Sequence, residues 1–174
     1  MNSPYFEMTA PLFIKNLKSL RAVLAKGAEH AASVGMSEAD LLDSKLAPDM
    51  FPLIKQIQIA TDNAKGATAR LAGVAPMSVP DTETTVTELI ARIEAIEAHL
   101  ATFTADQFAD AAERQITLPY FPGQFITGHD YLTEYALANF FFHMNMAYAI
   151  IRMTGASIGK GDYIGSMTMQ PLAA

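Results

Sequence analysis

Val86, Leu89, Ile93, Ile96, Leu100 and Phe103 step alternately by three and four residues. This rhythm constrains the fold more than any other feature of the chain. It predicts a helix from about Thr84 to Phe103 with one apolar seam, the pattern that packs helices nearly parallel to one another. Glu88, Arg92 and Glu94 fall outside the seam and are read as its polar face.

Three other segments carry helical periodicity. The first runs from about Thr9 to Val34, with Phe13, Leu17, Leu20, Leu24 and Ala31 on one stripe. Pro11 sits in its first turn, where a missing N–H costs little, and Gly35 ends it. "MSEADLLDSKLAPD" then connects through a short turn opened by Ser37. The second helix runs from about Phe51 to Ala72, introduced by Asp49 and stopped by Gly73. "VAPMSVPDT" is a loop broken by Pro76 and Pro80. The last helix spans about Tyr131 to Met153, with Gly155 as its stop. Ahead of it, "TADQFADAAE" predicts one more short turn. "RQITLPYFPGQFITGHDYL" places Thr, Ile, Tyr and Phe around Pro122-Gly123 and predicts a small hairpin. Asp130 or Thr127 caps the helix that follows. The tail from about residue 155 is Gly-rich and irregular, folding back with Gly159 and Gly161 at tight turns and Tyr163 and Ile164 as anchors. Together these predict one all-α domain over residues 1–174, a four-helix bundle with a small hairpin between helices 3 and 4.

Composition bears on partners. Hydrophobic residues make up 51% and charged residues only 17%, against about 25% in ordinary globular chains. The shortage of charged surface favours cover by a second copy, so a homodimer is expected. A net charge of −6 repels phosphate backbones and argues against nucleic acid. The absence of cysteine excludes disulfides, thiolate metal sites and a cysteine nucleophile. "MNSPYFEMTAP" lacks a basic region followed by an apolar one, so no signal peptide is expected. No run approaches the roughly 20 apolar residues of a membrane span. A cytoplasmic location is the expectation.

Within the last helix, "NFFFHMNMAYAIIR" is the most apolar stretch of the chain, yet it holds Asn139, His143 and Asn145. Leu132, Ala136, Asn139, His143, Met146 and Ile150 form one seam, which predicts that Asn139 and His143 point inward as neighbours four residues apart. Phe140, Phe141, Phe142 and Tyr148 would cover the other faces. Two roles are open to the polar pair. They satisfy one another or a neighbouring helix in the core, or they serve a site, since a histidine of ordinary pKa moves protons near neutrality.

The segments "NFFFHMNMAYAIIRMTGASIGKGDYIG" and "KQIQIATDNAKGATARLAG" resemble an uncharacterised bacterial family, a domain of unknown function within the DinB-like four-helix-bundle superfamily. The resemblance covers nearly the whole chain and implies an up-down-down-up bundle, commonly dimeric. In the metal-binding branches of that superfamily, one histidine from the second helix and two, four apart, on the last helix hold a divalent ion. Some of those branches are thiol-dependent transferases or isomerases. Carried onto this chain, the second histidine of the last-helix pair falls on His143 and the first on Asn139. The second helix has no histidine, and Gln58 and Asp62 are its polar candidates.

The expected pocket is therefore His143, Asn139, Gln58 and Asp62, with His129 at the open end of the bundle. The first functional reading is a small-ligand-binding or structural bundle whose metal site has degraded, with no cofactor. The alternative is a divergent metal-dependent enzyme, thiol-dependent and transferase-like, with zinc or nickel on His143. His30 and His99 lie off their seams and are expected to be solvated. "GASIGKGDYIG" is not a phosphate loop: Thr154 stands where the pattern needs glycine, and Gly161 where Ser or Thr should follow Lys160.

Overall fold

The structure is a computed structural model that describes residues 3–172; two residues at each end of the expected 1–174 domain lie outside it. Helix α1 (Pro4–Glu7) is a single turn. Helix α2 (Ala10–Ser33) buries Phe13, Leu17, Leu20, Leu24 and Ala31, the stripe read from its periodicity. Ser37 opens the short helix α3 (Glu38–Asp43) by accepting the Asp40 N–H at 3.1 Å. Helix α4 (Leu53–Ala72) starts after Pro52, so Asp49 is not its cap. It ends on Gly73, whose φ of 76° only glycine adopts cheaply. Helix α5 (Val86–Leu100) opens with a capping box in which Thr85 Oγ1 accepts from Glu88 N and Glu88 Oε2 accepts from Thr85 N. Its seam from Val86 to Leu100 is buried, as is Phe103, which lies beyond the end of the helix and not within it as expected.

After a 3₁₀ turn at Ala105–Phe108, strands β1 (Gln115–Ile116) and β2 (Ile126–Thr127) pair antiparallel, with Gln115 opposite Thr127 and Ile116 opposite Ile126. This is the expected hairpin. At its tip Gln124 N–H bonds Phe121 O, and Gly123 has φ 77°, so Pro122-Gly123 makes the turn. Thr127 caps the next element by accepting Asp130 N–H. The last long helix is continuous but not uniform. A turn α6 (Gly128–Asp130) leads into a π-helical segment, Tyr131–Ala136, and then into α7 (Leu137–Met153).

The most extensive contacts run from α2 to α5, α5 to α4, α4 to α7 and α7 back to α2, enclosing one core. Phe13 and Phe140 meet near its centre, ring centroids 4.7 Å apart. At Gly27 a Cβ would stand 2.8 Å from Ile151, so α2 and α7 approach closely there. The tail folds back as expected through a short helix α8 (Lys160–Ile164), with Tyr163 edge-on to Tyr148 and Lys26 bonded to Asp162 at 2.6 Å. The tight turns fall on Gly155 and Gly165, which have positive φ, and not on Gly159 or Gly161. No helix among the described residues is long and apolar enough to cross a membrane.

Two expectations fail, one in the rotation of a helix and one in what covers it. The buried face of α7 is Phe140, His143, Met144, Ala147, Ile150 and Ile151, so Asn139 and Met146 sit on its flank and Phe140 in the core. Arg92 is not on a polar face: its side chain is 2% exposed. The 74–85 loop folds over α5 and supplies the reason. Arg92 Nη1 donates to Glu83 Oε1 at 3.0 Å and to Pro80 O at 3.1 Å, and Nη2 reaches Asp81 Oδ1 at 3.0 Å. From α4, Thr61 Oγ1 and Asp62 Oδ1 each accept at 2.7 Å.

Candidate functional site

The sequence spaces two polar stripes so that they face each other. On α4, Lys55, Ile59, Asp62, Asn63 and Arg70 share a face. On the last helix, Tyr135, Asn139 and His143 recur every four residues. α4 and α7 are the most extensively packed pair of helices, and a cleft of about 530 Å³ lies between these stripes. Leu118, Pro119 and Tyr120 of the hairpin loop close one end. The size suits a small organic molecule.

His143 is 7% exposed, and its Nδ1 lies 2.7 Å from Gln56 Oε1. Gln56 donates its own Nε2 to Phe51 O at 3.1 Å, which turns Oε1 toward the ring. This network assigns the proton of His143 to Nδ1 and leaves Nε2 with a free lone pair. Burial pushes the His143 pKa below its ordinary value, so the ring is neutral near pH 7. His143 thus presents a neutral acceptor to the cleft.

Asn63 was not singled out by the sequence, and it is the least satisfied group here. It is 9% exposed, it lines the cleft, and both Nδ2 and Oδ1 are buried without a hydrogen-bond partner. Nearly all buried polar atoms in folded proteins are paired. Arg70 extends over Gly66, where a Cβ would meet its Nη1 at 2.6 Å, and donates a long bond of 3.4 Å to Tyr131 Oη. Burial pushes the Tyr131 hydroxyl above its usual range, although the Arg70 charge opposes this, so the phenol stays protonated.

Of the five residues expected to form the pocket, the fold brings three together: His143, Asn139 and Asp62. Gln58 points elsewhere, donating to Glu83 Oε2 at 2.9 Å; Gln56, two residues earlier, is the partner of His143. His129 is exposed, and its Nδ1 lies 3.2 Å from Tyr5 Oη, away from the cleft. Of the two histidines read as solvated, His30 is half-buried with Nε2 3.0 Å from Thr154 O. His99 packs edge-on to Phe103.

The donors do not fit the three-ligand metal site of the related branches. Among the described residues no three His, Cys, Asp or Glu side chains come together. Beside His143 stand the Asn139 amide and Asp62, whose Oδ1 is already taken by Arg92 and by Lys65 at 2.9 Å. Catalytic zinc takes three protein ligands from His, Cys and carboxylates.

The structure is similar to the crystal structure of a DinB family member protein from Shewanella denitrificans: 38% of residues are identical, 96% of this chain and 95% of that chain are covered, and the TM-score is 0.92. Over residues 5–164 the chain matches the family described as domain of unknown function DUF1993, and it belongs to that family. No functionally curated protein matches it.

Proposed function

We propose that this protein binds a small organic molecule in the α4–α7 cleft and does so without a metal ion. One observation carries the reading: Asn63 lines an open cleft, and both polar atoms of its amide are buried beneath the cleft surface with no partner in the fold. Such a group costs stability, and a turn of the side chain toward the cleft would let a bound molecule pair with it. His143 Nε2, held by Gln56, offers a second fixed polar contact, and Tyr135 and Tyr120 offer aromatic walls. The four long helices are taken to run up-down-down-up. The exposed aromatics Tyr120, Phe121, Phe125 and Phe142 support a homodimer, checked by light scattering on the eluting protein.

The test is a fragment screen by protein-observed NMR on untagged protein, with metal content measured on the same sample. At least one fragment class should shift the Asn63 side-chain amide and the His143 ring together. A screen that moves neither group, or near-stoichiometric metal lost in His143→Ala, would overturn the reading.

A further inference from the structure

The charges around the cleft are matched, with one exception. Asp62 is held by Arg92 and Lys65, and the Lys55 ammonium is held by Asp81. Arg70 lines the same cleft and forms no ion pair among the described residues. This is a chain with 18 acidic and 12 basic residues, in which a carboxylate partner is easily supplied. The space for the guanidinium comes from Gly66, a helix-interior glycine that costs about 1 kcal/mol of helix propensity relative to alanine. Gly66 lies one turn before Arg70 and three residues after Asn63. The guanidinium is therefore turned back along α4 toward the turn that carries Asn63. The neighbouring recess, also bordered by Arg70, holds Arg114, whose buried Nε has no hydrogen-bond partner. A second guanidinium thus lies next to the cleft in an acidic protein.

We propose that the ligand is an organic carboxylate with an apolar body. Its carboxylate sits on the Arg70 guanidinium and draws the Asn63 amide, buried in the free protein, round toward it; its body lies against Ile59 and Tyr135, and an O–H or N–H at its far end donates to His143 Nε2. A planar guanidinium matches a carboxylate, which accepts two parallel bonds. A dianionic phosphate would keep one charge uncompensated in a half-enclosed cleft. This proposal rests on the ligand-binding reading above and deepens it.

The test is titration calorimetry with 4-hydroxyphenylacetate, its neutral analogue 4-hydroxyphenylacetamide, and inorganic phosphate. The carboxylate should bind and the carboxamide should bind about tenfold more weakly or worse, as expected for loss of a charge-assisted bond. Arg70→Gln should shrink that preference to about twofold or less, Arg70→Lys should restore part of it, and phosphate should not compete. Equal affinity for acid and amide, competition by phosphate, or a preference untouched by Arg70→Gln would each overturn the proposal, as would no heat from the acid up to about 10 mM. Neutral fragments in the cleft with no carboxylate binding would overturn the carboxylate while leaving the ligand-binding reading intact. A cleft that takes no fragment of any charge removes both.

Discussion

Replacing Asn63 by leucine should make the ligand-free protein more stable. The side chain is 9% exposed, and both of its polar atoms are buried and unpaired. A buried polar group without a partner costs about 1–3 kcal/mol, and an apolar side chain of similar size removes that cost while adding buried apolar surface. Some of this is offset by crowding from the branched side chain, so a gain of about 1–2 kcal/mol is expected. For a chain of this length, 1 kcal/mol moves Tm by about 2–4 °C, which places the variant about 2–8 °C above wild type. Urea unfolding followed by circular dichroism measures the gain, and an unchanged m value shows that the same surface unfolds. With a saturating ligand the order should reverse, because mass action stabilises only the protein that binds. A variant destabilised by about 1 kcal/mol or more would refute the reasoning: the amide would then be partnered within the fold, and its role structural.

Arg92→Met should destabilise the protein by about 3 kcal/mol, since it leaves the Glu83 carboxylate with only the neutral Gln58 amide, takes the donor from Thr61 and frees the 74–85 loop; Asp62 and Asp81 are partly exposed and add less. Limited proteolysis of that loop, quickened in the variant, checks the mechanism. Gly66→Ala should raise stability by about 0.5–1 kcal/mol in urea unfolding while weakening carboxylate binding, because the new methyl displaces only the flexible end of Arg70. Stability should fall as pH drops below about 6.5: the folded state holds His143 neutral through burial, so the unfolded chain binds more protons until pH passes the lowered native pKa. Urea midpoints across that range should flatten in His143→Gln. A second loss belongs lower. Burial alone would raise the Asp81 and Glu83 pKa values, but bonds from Lys55, Arg92 and Gln58 lower them. Their stabilisation is present above the ordinary carboxylate range and lost as pH falls through the native values.

The sequence carries α2 and α5 clearly because their apolar residues are few enough to define one stripe against a polar background. Gly73 and Gly155 stop their helices where the backbone needs positive φ, a demand visible in residue type alone. The last helix is different. It is apolar on nearly every face, so periodicity gives no unique rotation, and the seam through Asn139 and Met146 was as good as the true one through Phe140, Met144 and Ala147. The π-helical turn at Tyr131–Ala136 carries no sequence mark. Arg92 looked like surface because charge is usually solvated; its burial depends on a loop whose path no local rule gives. Gln58 and Asp62 paired naturally at four-residue spacing. Asp62 does line the cleft, but the residue that holds His143 is Gln56, and a polar side chain inside a helix does not announce which of its neighbours will turn away. Gly66 was the available hint: a glycine inside a long helix costs stability, and here it makes room for a cation.

The measurement that bears most directly on the cleft is the side-chain amide spectrum of Asn63 and the Nε–H signal of Arg70 during titration with 4-hydroxyphenylacetate. Binding in the α4–α7 cleft predicts saturable shifts of both signals with one common dissociation constant, and slowed exchange of the Asn63 amide protons. Saturable binding that leaves both signals in place, or moves only residues of the hairpin and α8, would put the ligand elsewhere and contradict the account.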